Sequence, residues 1–137
     1  MQIFAHVTNT TGTHEVSLDT AGATKSLRVP ARPGGAGSSV NGGEFLMLAL
    51  ATCFCNDLYR EAARLGIAVD GVEVQASAEF GGPGQGATNV RYSARIDSPA
   101  SQEEIERLLT ETDAVAEVHN TLRSGRRVER VAWPPGR

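Results

Sequence analysis

The stretch from Gly43 to Leu65, GEFLMLALATCFCNDLYREAARL, has the spacing of one long helix, and its first half is apolar almost all the way round. A glycine-rich segment precedes it, and Gly66 follows as a residue suited to end a helix in the left-handed conformation. The pattern predicts one long central helix on which the rest of the chain is built. Gln2 to Val7 and Thr13 to Ser17 alternate apolar and polar positions around the turn-rich Asn9-Thr-Thr-Gly12, which predicts a hairpin, and Ser26 to Val29 reads as a third short strand before Pro30. From Pro30 to Gly43 five glycines and two prolines exclude regular structure. A glycine loop before a helix can cradle a phosphate, but no Lys-Ser/Thr pair follows, so the phosphate-loop pattern is not met.

Beyond the helix, Val72 to Phe80 alternates strictly, GGPGQGA supplies a turn, and Val90, Tyr92, Ala94 and Ile96 continue the alternation on a partner strand. Pairing Phe80 with Val90 places Ala78 opposite Tyr92, Ala76 opposite Ala94, Val74 opposite Ile96, and Glu79 opposite Arg91 on the wet face. Such a hairpin has one dry face, and the central helix is the element apolar enough to cover it. Ser98-Pro99 leads into a second helix with capping-box spacing at Ser101 and Glu104 and an apolar stripe of Ile105, Leu108 and Leu109. Helical spacing resumes from Ala114 to Leu122 through Val115, Val118 and Leu122, and Gly125 suits its end. Arg127 to Trp133 reads as a last strand, with little to hold the PPGR tail beyond it.

Composition narrows the classes. A length of 137 residues fits a single domain, 1–137. Hydrophobic residues are 40% and aromatics only 5%, so the core is aliphatic, and part of it is expected to be completed by a second copy. A net charge of −3 leaves no basic face for nucleic acid; Arg123, Arg126, Arg127, Arg130 and Arg137 make the tail locally basic, but the rest of the chain offsets it. The longest apolar run, Phe45 to Cys55, is far short of the roughly 18 residues of a membrane span. With no basic leader pattern at the start, the expectation is a soluble, cytoplasmic protein whose two cysteines are thiols rather than a disulfide framework.

The chemistry falls on the central helix. Cys53 and Cys55 are two residues apart, about 200° round an ideal helix, so they point to different faces and close no disulfide without unwinding. A reactive cysteine works as its thiolate, and an ordinary thiol with a pKa of about 8.5 is mostly protonated at neutral pH, so something cationic must stand beside it. Asn56, Asp57 and Arg60 share the face of Cys53; Asp57 disfavours a thiolate there and Arg60 favours it. His119 is a further candidate neighbour, set against the plainer role of a surface or capping residue. Met47, Phe54, Leu58 and Tyr59 are candidates to line or flank an apolar pocket, set against plain core, which is the favoured reading for each. His6, His14 and His119 are scattered and no Cys/His spacing fits zinc, so no metal and no cofactor is expected.

The order of elements, the run Leu50-Ala-Thr-Cys53-Phe54, the glycine-rich entry, the exit Ala63-Arg-Leu-Gly66-Ile67, and Asn120-Thr121-Leu122 followed by Gly125 resemble the OsmC/Ohr family of organic hydroperoxide resistance proteins, from about Leu27 to the last strand. The resemblance implies an α+β, OsmC-like fold, with antiparallel sheets packed on a long central helix, and an intertwined homodimer. It implies a peroxidatic cysteine on that helix, here Cys53, reducing a small hydrophobic peroxide. The family's resolving cysteine would precede Val118 to Leu122, where this chain has Ala116 and Glu117. Of the family's Arg–Glu pair, the glutamate falls near Gly43, with Glu44 one residue off, and the arginine position reads as Thr11 to His14. A divergent member without the second cysteine would run a single-cysteine cycle that stops at sulfenic acid until an external thiol reductant acts. The alternative is a non-catalytic dimer that binds a small hydrophobic or lipid-like ligand.

Overall fold

A computed structural model describes residues 1–134; the PPGR tail beyond Pro134 lies outside the described residues. The chain forms two compact units, Met1–Leu46 and Met47–Arg137, with the boundary inside the long helix. In the first, β1 (Ile3–Thr10), β2 (Thr13–Thr20) and β3 (Ala23–Ser26) form an antiparallel sheet in the order β1-β2-β3. The β1–β2 hairpin turns at Thr11-Gly12, as the pattern predicts. The third strand, however, starts at Ala23 rather than Ser26. The cause is a tight turn at Ala21-Gly22, both left-handed (φ 53° and 86°), a geometry that matches the twist of paired strands. Asp19 holds that turn, accepting from Gly22 N at 3.0 Å and Thr24 Oγ1 at 3.0 Å.

The glycine-rich segment is irregular, as expected, and closes on itself through Arg32 N to Gly37 O (2.9 Å) and Ser39 N to Pro30 O (3.0 Å). It ends at Asn41, whose Oδ1 accepts from Glu44 N (2.9 Å) while Asn41 N donates to Glu44 Oε2 (2.7 Å). This reciprocal cap satisfies two otherwise orphaned N–H groups and starts α1 (Gly42–Leu65). At the other end Gly66, at φ 68°, donates to Ala63 O and Ile67 donates to Ala62 O at 2.9 Å, closing the helix in a Schellman motif.

In the second unit β4 (Gly71–Glu79) and β5 (Thr88–Asp97) form the long hairpin, but the expected register is two residues off. Val72 faces Ile96, Val74 faces Ala94 and Ala76 faces Tyr92. A slip of two keeps every side chain on its own face, so alternation alone does not choose between these registers. The choice is made at the ends, where Asp70 N donates to Asp97 O at 2.8 Å and an irregularity between Ser77 and Glu79 shortens the far pairing. Asn89, at φ 51°, donates to Glu79 Oε2 there at 2.9 Å. Arg91 therefore faces Ser77 instead of Glu79, and the cross-strand ion pair is Arg95 with Glu73.

The dry face of this hairpin is covered as predicted. Phe54, Leu58 and Ala62, spaced one turn apart on α1, make a core with Leu108 of α2 (Gln102–Val115) and with Ala116, and Val72, Val74, Tyr92, Ala94 and Ile96 pack against it. Ser101 and Glu104 cap α2 reciprocally. After Ala116, α3 (Glu117–Arg123) follows, and its buried face differs from the expected stripe: Val115 and Leu122 are exposed and His119 is buried instead. The helix break at Ala116, extended at φ −67° and ψ 108°, accounts for the change, because the helical phase of Ala114 and Val115 does not carry through to α3; Arg123 reaches back across the break to Asp113 Oδ1 at 2.6 Å. Among the described residues the expected last strand is not formed: residues 127–133 have no regular secondary structure, and Val128 and Val131 are exposed. Among the described residues no strand pairs with that stretch, so no ladder takes up its backbone groups. Among the described residues no helix is long and apolar enough to cross a membrane.

Candidate functional site

Two elements bring four side chains together. On α1, Cys53, Asp57 and Arg60 lie on one face by their spacing of four and three residues. Facing them is Glu117, the first residue of α3, presented by the break between the two helices at Ala116. The Cys53 thiol donates to Asp57 Oδ2 at 3.4 Å and lies 3.9 Å from Glu117 Oε2. Arg60 Nη1 stands 2.9 Å from Asp57 Oδ1 and 3.2 Å from Glu117 Oε1, and its Nε donates to Glu61 Oε1 at 3.3 Å. Each of the two carboxylates thus turns one oxygen to the guanidinium and the other to the sulfur. Behind them Glu61 also accepts from Arg64 Nε at 2.5 Å, and Arg64 continues to Glu111.

This arrangement keeps the sulfur protonated. Burial pushes the Cys53 thiol up, the hydrogen bond to Asp57 and the charges of Asp57 and Glu117 add to that, and the backbone of Val118 pulls the other way. Burial likewise raises the Asp57 carboxyl, opposed by its hydrogen bond from Cys53 and by Arg60, while the neighbouring Glu117 raises it further. Glu117 itself is held low, first by its own backbone N–H at the start of α3 and then by Asp57 and Arg60. The result is a thiol with a proton acceptor in place and, among the described residues, no cation set directly on the sulfur, since the Arg60 guanidinium sits on the far oxygens.

Of the other residues singled out in the sequence, Phe54 and Leu58 are fully buried in the core. Met47 is half-buried on α1 and Tyr59 is exposed. Glu44 is engaged in the cap of α1. His119 is turned into the core, its ring 5.5 Å from that of Phe54 and 4.5 Å from that of Tyr92. Cys55 is half-buried, and both cysteines are free thiols. Glu117 is the neighbour that helix spacing on α1 could not reveal, since it comes from 64 residues away. Its one signal is that, with Ala116, it occupies the place where the family resemblance leads one to look for a resolving cysteine. The sulfur and carboxylate oxygens of Cys53, Asp57 and Glu117 all lie within 4.8 Å of one another, a grouping able to hold a cation that histidine spacing did not anticipate. Arg60 already supplies positive charge to both carboxylates.

A long capped helix bearing a thiol, laid across an antiparallel hairpin and followed by two shorter helices, is an α+β arrangement shared with known proteins. The family profile described as OsmC-like protein matches residues 35–130, and the chain belongs to the OsmC-like family. Solved structures agree in fold. An organic hydroperoxide resistance protein OsmC from Legionella pneumophila is 22% identical, with a TM-score of 0.62 over 90% of each chain. An organic hydroperoxide resistance protein from Elizabethkingia anophelis is 22% identical, with a TM-score of 0.62 over 91% of this chain and 90% of that one. An OsmC-like protein from Mycoplasma pneumoniae is 18% identical, with a TM-score of 0.61 over 89% of each chain. No curated protein matches the chain significantly in sequence.

Proposed function

We propose that this OsmC-like chain is a thiol protein in which Cys53 reduces small organic hydroperoxides in a single-cysteine cycle, with Asp57 as the base. The observation that carries the reading is the thiol proton directed at Asp57 Oδ2, from the cysteine that matches the family's peroxidatic position. The sulfur attacks the outer peroxide oxygen, its proton passes to Asp57, and the O–O bond breaks. The alkoxide leaves and takes the proton from the Asp57–Glu117 pair, so that thiol and hydroperoxide become sulfenic acid and alcohol. An external thiol then forms a mixed disulfide with the sulfenic sulfur, water leaves, and a second thiol releases Cys53. Because burial and two carboxylates disfavour the thiolate, this chemistry is slow at neutral pH and accelerates toward alkaline pH.

The same raised thiol gives the second reading its support: a protein without peroxidase activity that binds a small hydrophobic or lipid-like ligand as a dimer. In either case we place the chain in the cytoplasm, as one OsmC-like domain in a homodimer. The family match spans the boundary between the two compact units. Ile3, Val7, Val128, Val131 and Trp133 are all more than half exposed, apolar surface that a second copy would cover. The test is turnover of cumene hydroperoxide with excess small dithiol, beside Cys53→Ser and Cys55→Ser. The proposal expects loss only with Cys53→Ser. Equal turnover in all three proteins, or none in any, removes the peroxidase reading, and stabilisation by long-chain acyl ligands would then favour the binding one.

A further inference from the structure

The charges around Cys53 bear on which molecules reach it. Glu117 and Asp57 each aim one oxygen at the sulfur, at 3.9 and 3.4 Å, while Arg60 contacts only their other oxygens and is shared with Glu61. The two carboxylates differ in what they present to solvent. The Asp57 side chain is 7% exposed and the Glu117 side chain 66%, so Glu117 is the charge that an arriving molecule meets. Its carboxyl is held below the usual range, which keeps it ionised at neutral pH. At about 0.15 M salt the screening length is roughly 8 Å, longer than the distance from this charge to the sulfur, so the field survives at the reacting atom.

Resting on Cys53 as the reactive thiol, we propose that Glu117 is a specificity-determining residue: it makes Cys53 selective for neutral or cationic reaction partners and turns away anionic ones. The class excluded is hydroperoxides that carry a carboxylate close to the peroxide group, and acidic small thiols as reductants. Neutral alkyl and aryl hydroperoxides and neutral or amine-bearing thiols are the class accepted. The origin is Coulombic: an anion approaching the sulfur is repelled by one exposed carboxylate whose counter-ion lies on its far side.

The experiment measures modification of Cys53 by thiosulfonates of opposite charge, in a Cys55→Ser background at fixed pH, with a neutral thiosulfonate as reference. A trimethylammonium-ethyl reagent and a sulfonato-ethyl reagent transfer the same kind of group, so their rate ratio reads the local charge and cancels thiolate content. The expected ratio of cationic to anionic rate exceeds that of a free thiol. It falls roughly five-fold in Glu117→Gln, the factor a single exposed charge pair supplies. It is retained in Glu117→Asp, inverts in Glu117→Lys, and shrinks toward unity in 1 M salt. A ratio unchanged by Glu117→Gln, with the circular dichroism spectrum intact, overturns the proposal. The reagents need no peroxide, so this result is separate from a failure of the peroxidase reading, which would appear as a Cys53 that discriminates by charge yet consumes no hydroperoxide.

Discussion

Replacing His119 by phenylalanine should stabilise the protein, and more so in acid. His119 is 3% exposed, and neither Nδ1 nor Nε2 finds a hydrogen-bond partner among the described residues. An unpaired buried polar group costs about 1–3 kcal/mol. A phenyl ring removes that cost and keeps the contacts with Phe54 and Tyr92, against some crowding from a slightly larger ring. The net gain at pH 7.5 is about 1 kcal/mol, or roughly 3–5 °C in Tm for a chain of this size. Burial and then Arg123 lower the imidazole pKa, and Asp113 opposes them only in part. A base whose folded pKa lies below its unfolded value of about 6.5 binds more protons when unfolded. Its titration therefore takes nothing from stability above about 6.5 and takes progressively more as pH falls toward the folded value. The gap between variant and parent should widen by up to about 1.4 kcal/mol per pH unit below about 6.5, until the folded pKa is passed. Urea unfolding followed by circular dichroism at pH 7.5 and 5.5 measures both terms. A gap that is the same at the two pH values would refute the reasoning, because it would mean that His119 binds its proton equally well folded and unfolded.

Two other substitutions probe the site and its frame. Asp57→Asn removes a charge that holds the Cys53 thiol up, so iodoacetamide alkylation at pH 7.5, which needs only the thiolate, should quicken, whereas hydroperoxide turnover, in which Asp57 carries the proton to the leaving alkoxide, should fall. Each unit of fall in pKa multiplies the thiolate tenfold but weakens its nucleophilicity, leaving roughly a three-fold gain per unit; an unchanged rate would count against Asp57 as the partner. Gly66→Ala places a side chain at φ 68° with nothing within 4 Å of the new Cβ, so the cost is backbone strain alone, about 1–2 kcal/mol in thermal unfolding; a neutral result would mean that the Schellman closure tolerates alanine.

Local rules carried much of the fold. The central helix, the caps at Ser101 and Gly66, and the assignment of faces on the long hairpin all follow from spacing of three, four or two residues. What escaped them has a physical cause. A two-residue slip leaves every face intact, so the register was set by a strand irregularity and by Asn89 in a left-handed conformation, neither of which alternation records. The third strand was displaced because Ala21 adopts a conformation usual for glycine or asparagine. The buried face of α3 follows from the helix break at Ala116, which interrupts the periodicity that the spacing of Val115, Val118 and Leu122 assumes. The site divides the same way. Asp57 was legible because it stands one turn from Cys53, whereas Glu117 reaches the sulfur only once α3 has docked on the core.

The account turns on whether Cys53 reacts with a hydroperoxide. Treating the protein with one equivalent of cumene hydroperoxide in the presence of a sulfenic-acid trap, then mapping the adduct by mass spectrometry, measures that step apart from any reductant. The account predicts a trapped sulfenic acid on Cys53 and not on Cys55, formed faster as pH rises from 7 toward 9 because burial and the carboxylates of Asp57 and Glu117 raise the thiol. A Cys53 that stays reduced across that range would contradict it.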